Sequence, residues 1–110
     1  MKPTTEAGLV RAITKEIVRR WPASVVYKIH GGPQQEVGIP DLLVAVEGRL
    51  VGIEVKHQKP GESRRAALSR VSAVQQRQID RLRAAGCVAG VALSPDEAVG
   101  LIEKSLTSLG

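Results

Sequence analysis

Along residues 5–20, TEAGLVRAITKEIVRR, apolar side chains recur at Leu9, Val10, Ile13 and Ile17, a spacing that collects them on one side of a helix. Thr5 stands where an N-cap is wanted. Trp21 and Pro22 end the pattern, because a proline disfavours helical geometry in the residue before it. The period then shortens. SVVYKI, residues 24–29, is brief and β-branched and predicts a strand, and the glycine-rich, polar HGGPQQEVG that follows predicts a loop.

Two further strands are predicted at residues 41–47, DLLVAVE, and 50–56, LVGIEVK, with Gly48 and Arg49 placed as the two-residue turn of a hairpin. Alternation puts Leu50, Gly52, Glu54 and Lys56 on one face of the second strand and Val51, Ile53 and Val55 on the other. Glu54 and Lys56 are thus same-side neighbours. Asp41 begins the first strand and comes back toward their end of the hairpin. Charges inside apolar strands are costly unless they are paired or bind a metal, so these three ask for a chemical reason.

Residues 57–70, HQKPGESRRAALSR, form a polar, basic connection in which a short helix over RRAAL and disorder are both compatible with the sequence. The next helix is better defined: Ser72 and Gln75 have capping-box spacing, Val74, Gln78, Ile79 and Leu82 continue the phase, and Gly86 ends it. CVAGVAL, residues 87–93, predicts a buried strand, and SPDEAVGLIEKSL a last helix with Ser94, Pro95 and Glu97 at its N-cap, N1 and N3 positions. The order predicts an α/β fold with a mixed sheet of about four strands flanked by helices. A long connection through a helix lets the last strand lie parallel to a hairpin strand. Nothing in the pattern divides residues 1–110 into more than one domain.

Composition narrows the picture modestly. The chain has 110 residues, no Phe and single Trp and Tyr residues, so its core must be built from Val, Leu, Ile and Ala. A formal net charge of +5 favours a polyanionic partner without choosing between nucleic acid and anionic lipid. Cys87 is the only cysteine, which excludes an internal disulfide and a cysteine-rich zinc site. No apolar run reaches the roughly 18 residues of a membrane span, and the first residues lack a secretory pattern, so the expected location is the cytoplasm.

Pro40-Asp41, 12 further residues and then Glu54-Val55-Lys56 resemble the PD-(D/E)xK nuclease core. The fuller run GIPDLL, GRLVGIEVKHQ and VSAVQQRQIDRLRAAG is similar to the VRR-NUC family, which includes phage proteins and the nuclease domain of a DNA-repair enzyme. The resemblance runs from Glu6 to the last helix. It implies a restriction-endonuclease-like core and a metal-dependent endonuclease that hydrolyses DNA phosphodiester bonds, often in branched or four-way-junction DNA.

Phosphodiester hydrolysis accumulates negative charge, which Mg²⁺, or Mn²⁺ in its place, can neutralise through carboxylate and phosphate oxygens. The expected metal ligands are Asp41, Glu54 and the carbonyl of Val55. The resemblance also implies a first-helix carboxylate, for which Glu6 fits the motif phase better than Glu16. Lys56 would orient the attacking water or stabilise the phosphate, and Gln75 would touch water or phosphate, close the helix cap, or do both. His30 could contact phosphate; His57 falls on the opposite alternation from Lys56. Arg64, Arg65 and Arg70 are expected to act together on the DNA backbone. For each charged residue the plain alternative is a surface ion pair or a solvated edge. A homodimer is expected because the chain is small and two symmetry-related sites can engage two equivalent strands. Leu101, Ile102, Leu106 and Leu109 could supply its interface or cover the sheet internally. The competing class is an inactive nucleic-acid-binding or assembly domain with the same fold, and a sequence-specific restriction enzyme is disfavoured.

Overall fold

A computed structural model describes residues 2–107. Helix α1 spans Glu6–Arg20 and is capped by Thr5, whose side chain accepts the Gly8 N–H at 3.0 Å. Strands β1 (Val25–Lys28), β2 (Leu42–Val46) and β3 (Arg49–Val55) follow, then the one-turn helix α2 (Arg64–Leu68), α3 (Ala73–Ala84), β4 (Val88–Ala92) and α4 (Pro95–Thr107). The segment over RRAAL is therefore helical, with Ser63 as its N-cap.

The four strands lie in the order β1-β2-β3-β4, antiparallel at the first two junctions and parallel at the third, as the long helical connection requires. The hairpin turn departs from expectation by one residue. Val46 pairs with Arg49, so the turn is Glu47-Gly48, with φ of 50° and 77°. A two-residue turn whose twist matches its strands needs positive φ at both positions, and this register puts glycine at the second, where Arg49 would otherwise have been forced. Leu42 then faces Ile53, and continuing the register by one step sets Asp41 across from Glu54.

The two faces of the sheet are covered differently. Leu42, Val44, Val51, Ile53 and Val55 are fully buried with Leu9, Ile13 and Ile17 of α1 and Ala98 and Ile102 of α4. Burying each such Ile or Leu contributes about 1.5–3 kcal/mol, which is how aliphatic residues alone sustain this core. Ile102 is buried and Leu101 and Leu106 pack against the same cluster, so these α4 residues cover the sheet internally; Leu109 lies outside the described residues. On the opposite face α3 covers β3 and β4. A Cβ on Gly52 would come within 2.7 Å of Leu82 Cδ1, so glycine at the centre of β3 is what lets α3 sit close. The β1–β2 half of this face stays open, with Tyr27 60% and Val25 46% exposed.

Candidate active site

The end of β3 is where the sheet brings polar groups together beneath its cover. Glu54 is 2% exposed. Strand alternation turns it toward α3, away from the apolar core, and there its Oε2 accepts the Gln75 amide at 3.0 Å and lies 3.4 Å from Lys56 Nζ. Asp41, just before β2, accepts the Val55 N–H through Oδ2 at 2.8 Å, and its own carbonyl accepts the Ile29 N–H at 2.8 Å. The carboxylate is thereby tied to β3 and the backbone of Asp41 to the end of β1. Lys56 N–H goes the other way, to the Ala92 carbonyl of β4. Because a strand residue sends its N–H and C=O to the same side, the Val55 carbonyl is directed toward Asp41.

Gln75 performs two jobs. Its Oε1 accepts the Ser72 N–H at 2.9 Å while Ser72 Oγ accepts the Gln75 N–H at 3.1 Å, completing the capping box that starts α3. The opposite end of the same amide holds Glu54, so the helix start is locked to the site. Beside Asp41, the loop leading to β2 is fastened to α3: Gln78 Nε2 donates to the Val37 carbonyl at 3.0 Å and Arg81 pairs with Glu36 at 2.6 Å. These fasteners join residues 41 and 45 positions apart, and no local spacing rule reveals them.

Burial and, after it, the negative charge of Asp41 push the Glu54 carboxyl up to about 8, against the opposing effect of Lys56. Ionising both facing carboxyls would set two negative charges against one ammonium, an excess that Glu54 avoids by keeping its proton and that a divalent cation would relieve. The donor set fits Mg²⁺ or Mn²⁺, which take one or two carboxylates, a carbonyl and phosphate oxygens while keeping waters.

The remaining expected residues are distributed unevenly. Among the described residues no third His, Cys, Asp or Glu side chain joins Asp41 and Glu54 in a metal-sized group. Glu6 is exposed on the first turn of α1, so the structure does not assemble the expected three-carboxylate set. Glu6 shares the helical phase of Leu9, Val10, Ile13 and Ile17, but the burial of that face begins at Leu9, and Glu6, about one turn before it, stands exposed beyond its end. Glu16 is held by Arg19 and Arg20 at 2.7 and 2.8 Å, and their hydrogen bonds lower its carboxyl to about 2. His30 is exposed, and the His57 ring shares a 3.0 Å hydrogen bond with the Pro3 carbonyl. The basic connection is also less free than its sequence implies. Arg64 pairs with Glu97, and Arg70 pairs with Glu62 and donates to the His57 carbonyl, leaving Arg65 as the exposed arginine of that group without a carboxylate partner among the described residues.

Comparison with solved structures finds a chain described as a VRR_NUC domain, 26% identical, with a TM-score of 0.58, covering 86% of this chain and 94% of its own length. No family model and no curated protein matches.

Proposed function

We propose, from its likeness in fold and in motif to a VRR_NUC domain, that the chain is a Mg²⁺- or Mn²⁺-dependent endonuclease that hydrolyses DNA phosphodiester bonds, with Asp41, Glu54, Lys56 and Gln75 as its working residues. The observation that carries this reading is Glu54: a carboxyl buried to 2% exposure, facing a second carboxyl and backed by a lysine and an amide. A structural ion pair would need only one carboxylate for one ammonium.

Asp41, Glu54 and the Val55 carbonyl would hold the cation, which supplies charge neutralisation at the phosphate undergoing attack. Asp41 does its part from a fixed position, since the Val55 N–H and the Ile29 N–H restrain its side chain and backbone. Gln75 keeps Glu54 oriented through an amide that the capping box already immobilises. Lys56, 11% exposed at the rim of this cluster, presents its ammonium to the side from which a phosphate must arrive and stabilises the charge that grows on its oxygens. Glu6 enters only as a reserve, by movement of the exposed first turn of α1 when substrate binds.

The substrate we propose is branched DNA, a four-way junction among others, cut by a homodimer in the cytoplasm of a cell or of a phage-infected host. Support for a second copy comes from the uncovered β1–β2 half of the α3 face of the sheet and the start of β3 beside it, where Val25, Tyr27 and Leu50 are exposed apolar residues in adjoining rows. No helix among the described residues is long and apolar enough to cross a membrane.

The test is cleavage of matched junction, flap, single-stranded and duplex DNAs with Mg²⁺, Mn²⁺ or chelator, with light scattering in the same buffer. The proposal expects metal-dependent cutting that favours branched DNA and a two-chain particle. Tight DNA binding with no cutting under any metal would instead establish a binding module. Equal rates on junction and duplex would reject the branched substrate, and full activity from a monomer would reject the dimer.

A further inference from the structure

The positive charge left free by this fold is not centred on the connection where the sequence concentrates it. Arg64 and Arg81 each meet a carboxylate from a distant segment, Arg70 meets Glu62 within the connection, and Arg19 and Arg20 share Glu16. On the opposite side of the sheet, a groove between α1 and β1 is lined by Val10, Arg11, Thr14, Lys15, Val26 and Lys28. Arg11, Lys15 and Lys28 are exposed, and none has a carboxylate within ion-pair distance among the described residues.

We propose that this groove holds the phosphodiester backbone of the nucleic acid as it passes from the active site around the free edge of the sheet. The proposal rests on the nuclease reading and adds a binding surface to it. Its groove joins the site directly: Lys28 pairs with Leu42 across β1 and β2, and the next residue, Ile29, donates its N–H to the Asp41 carbonyl. A backbone crossing β1 therefore meets Lys28 one residue from the strand contact that positions Asp41.

Two features favour a polyanion over a passive surface. Arg11 and Lys15 are four residues apart on one helix face, an arrangement that like-charge repulsion disfavours and that phosphates lying between them relieve. Lysine on an edge strand also discourages strand-to-strand aggregation, which accounts for Lys28 alone but not for two further cations aimed into the same groove from α1. A lipid surface fits less well. Leu9, Val10, Ile13 and Ile17 all face the core, so α1 keeps no broad apolar face for a bilayer.

The test measures binding of a labelled branched DNA in chelator between 50 and 200 mM salt, for the wild type, Arg11→Gln, Lys15→Gln, Lys28→Gln and the triple variant. Lys104→Gln, which removes an exposed charge from α4, is the control. Each groove variant is expected to lower the slope of log affinity against log salt by about 0.7–0.9, and the triple variant to lower it by about 2–3 and weaken binding about tenfold or more. Lys104→Gln is expected to leave slope and affinity unchanged. Circular dichroism checks the fold, and the single variants carry the test if the triple is unstable. A triple variant with wild-type slope and affinity, while the wild type still cuts DNA, overturns the groove and leaves the nuclease reading standing. A wild type that neither binds nor cuts nucleic acid overturns both. Loss of binding to phosphatidylserine vesicles with DNA binding intact assigns the groove to lipid and overturns the proposal.

Discussion

The two faces of β3 follow opposite rules. Val51, Ile53 and Val55 are fully buried in an aliphatic core, whereas Gly52, Glu54 and Lys56, alternating with them, face α3 and form a charged cluster. One side lowers the free energy of the folded chain by excluding water from hydrocarbon; the other keeps a carboxyl where burial and Asp41 oppose its charge. A face built only for stability would carry an apolar residue at position 54. The contrast teaches that the charged face does not serve stability, and on the proposed reading it serves cation binding, on the platform that the apolar face provides.

Substitutions on the two faces should separate activity from stability. The largest effect is expected from Asp41→Asn. Asparagine still accepts the Val55 N–H, so the melting temperature should hold while metal-dependent cleavage falls by about a thousandfold, equivalent to about 4 kcal/mol of barrier. Next comes Ile53→Ala on the apolar face, which leaves a cavity and should cost about 3 kcal/mol in chemical denaturation without altering metal preference.

Glu54→Gln reverses the usual direction. A folded Glu54 keeps its proton to about 8, whereas the ordinary value is 4.5. Its protonation therefore favours the folded state fully below 4.5, and that advantage is lost as pH rises through about 8. In chelator the wild type should melt lower as pH rises across this window. The glutamine variant should flatten that dependence and melt about 5 °C higher at the alkaline end, while losing cleavage. A steeper pH dependence in the variant would count against burial as the cause. The smallest effect belongs to the hairpin that aligns the faces: Glu47 has a φ of 50°, so Glu47→Asn should stabilise by about 0.5–1 kcal/mol, read from the denaturation midpoint.

Local pattern and motif made much of this legible. The alternation of β3, the Thr5 cap and the Ser72–Gln75 capping box depend on residues within a few positions of one another, and all three are in the structure. The turn lies one residue before the position that the sequence predicts, because only the paired strands reveal that Glu47 accepts a left-handed conformation to leave Gly48 at the second position. Free charge was harder still. Arg64 reads as available from its neighbours, yet it meets Glu97, 33 residues away, while Lys28, isolated in sequence, joins Arg11 and Lys15 only when β1 lies against α1. Glu6 shares the phase of the buried face of α1, and the extent of the core, which begins at Leu9, leaves it exposed.

The most direct test of the central claim, that Asp41 and Glu54 form a divalent-cation site, is a calorimetric titration of the protein with Mn²⁺ at pH 7 in buffers of different ionisation enthalpy. A buried Glu54 that holds its proton without metal must release it on binding, so the account predicts saturable Mn²⁺ binding with close to one proton released, both lost in Asp41→Asn and Glu54→Gln. Mn²⁺ binding that persists unchanged in both variants, or binding by the wild type with no proton released, would contradict it.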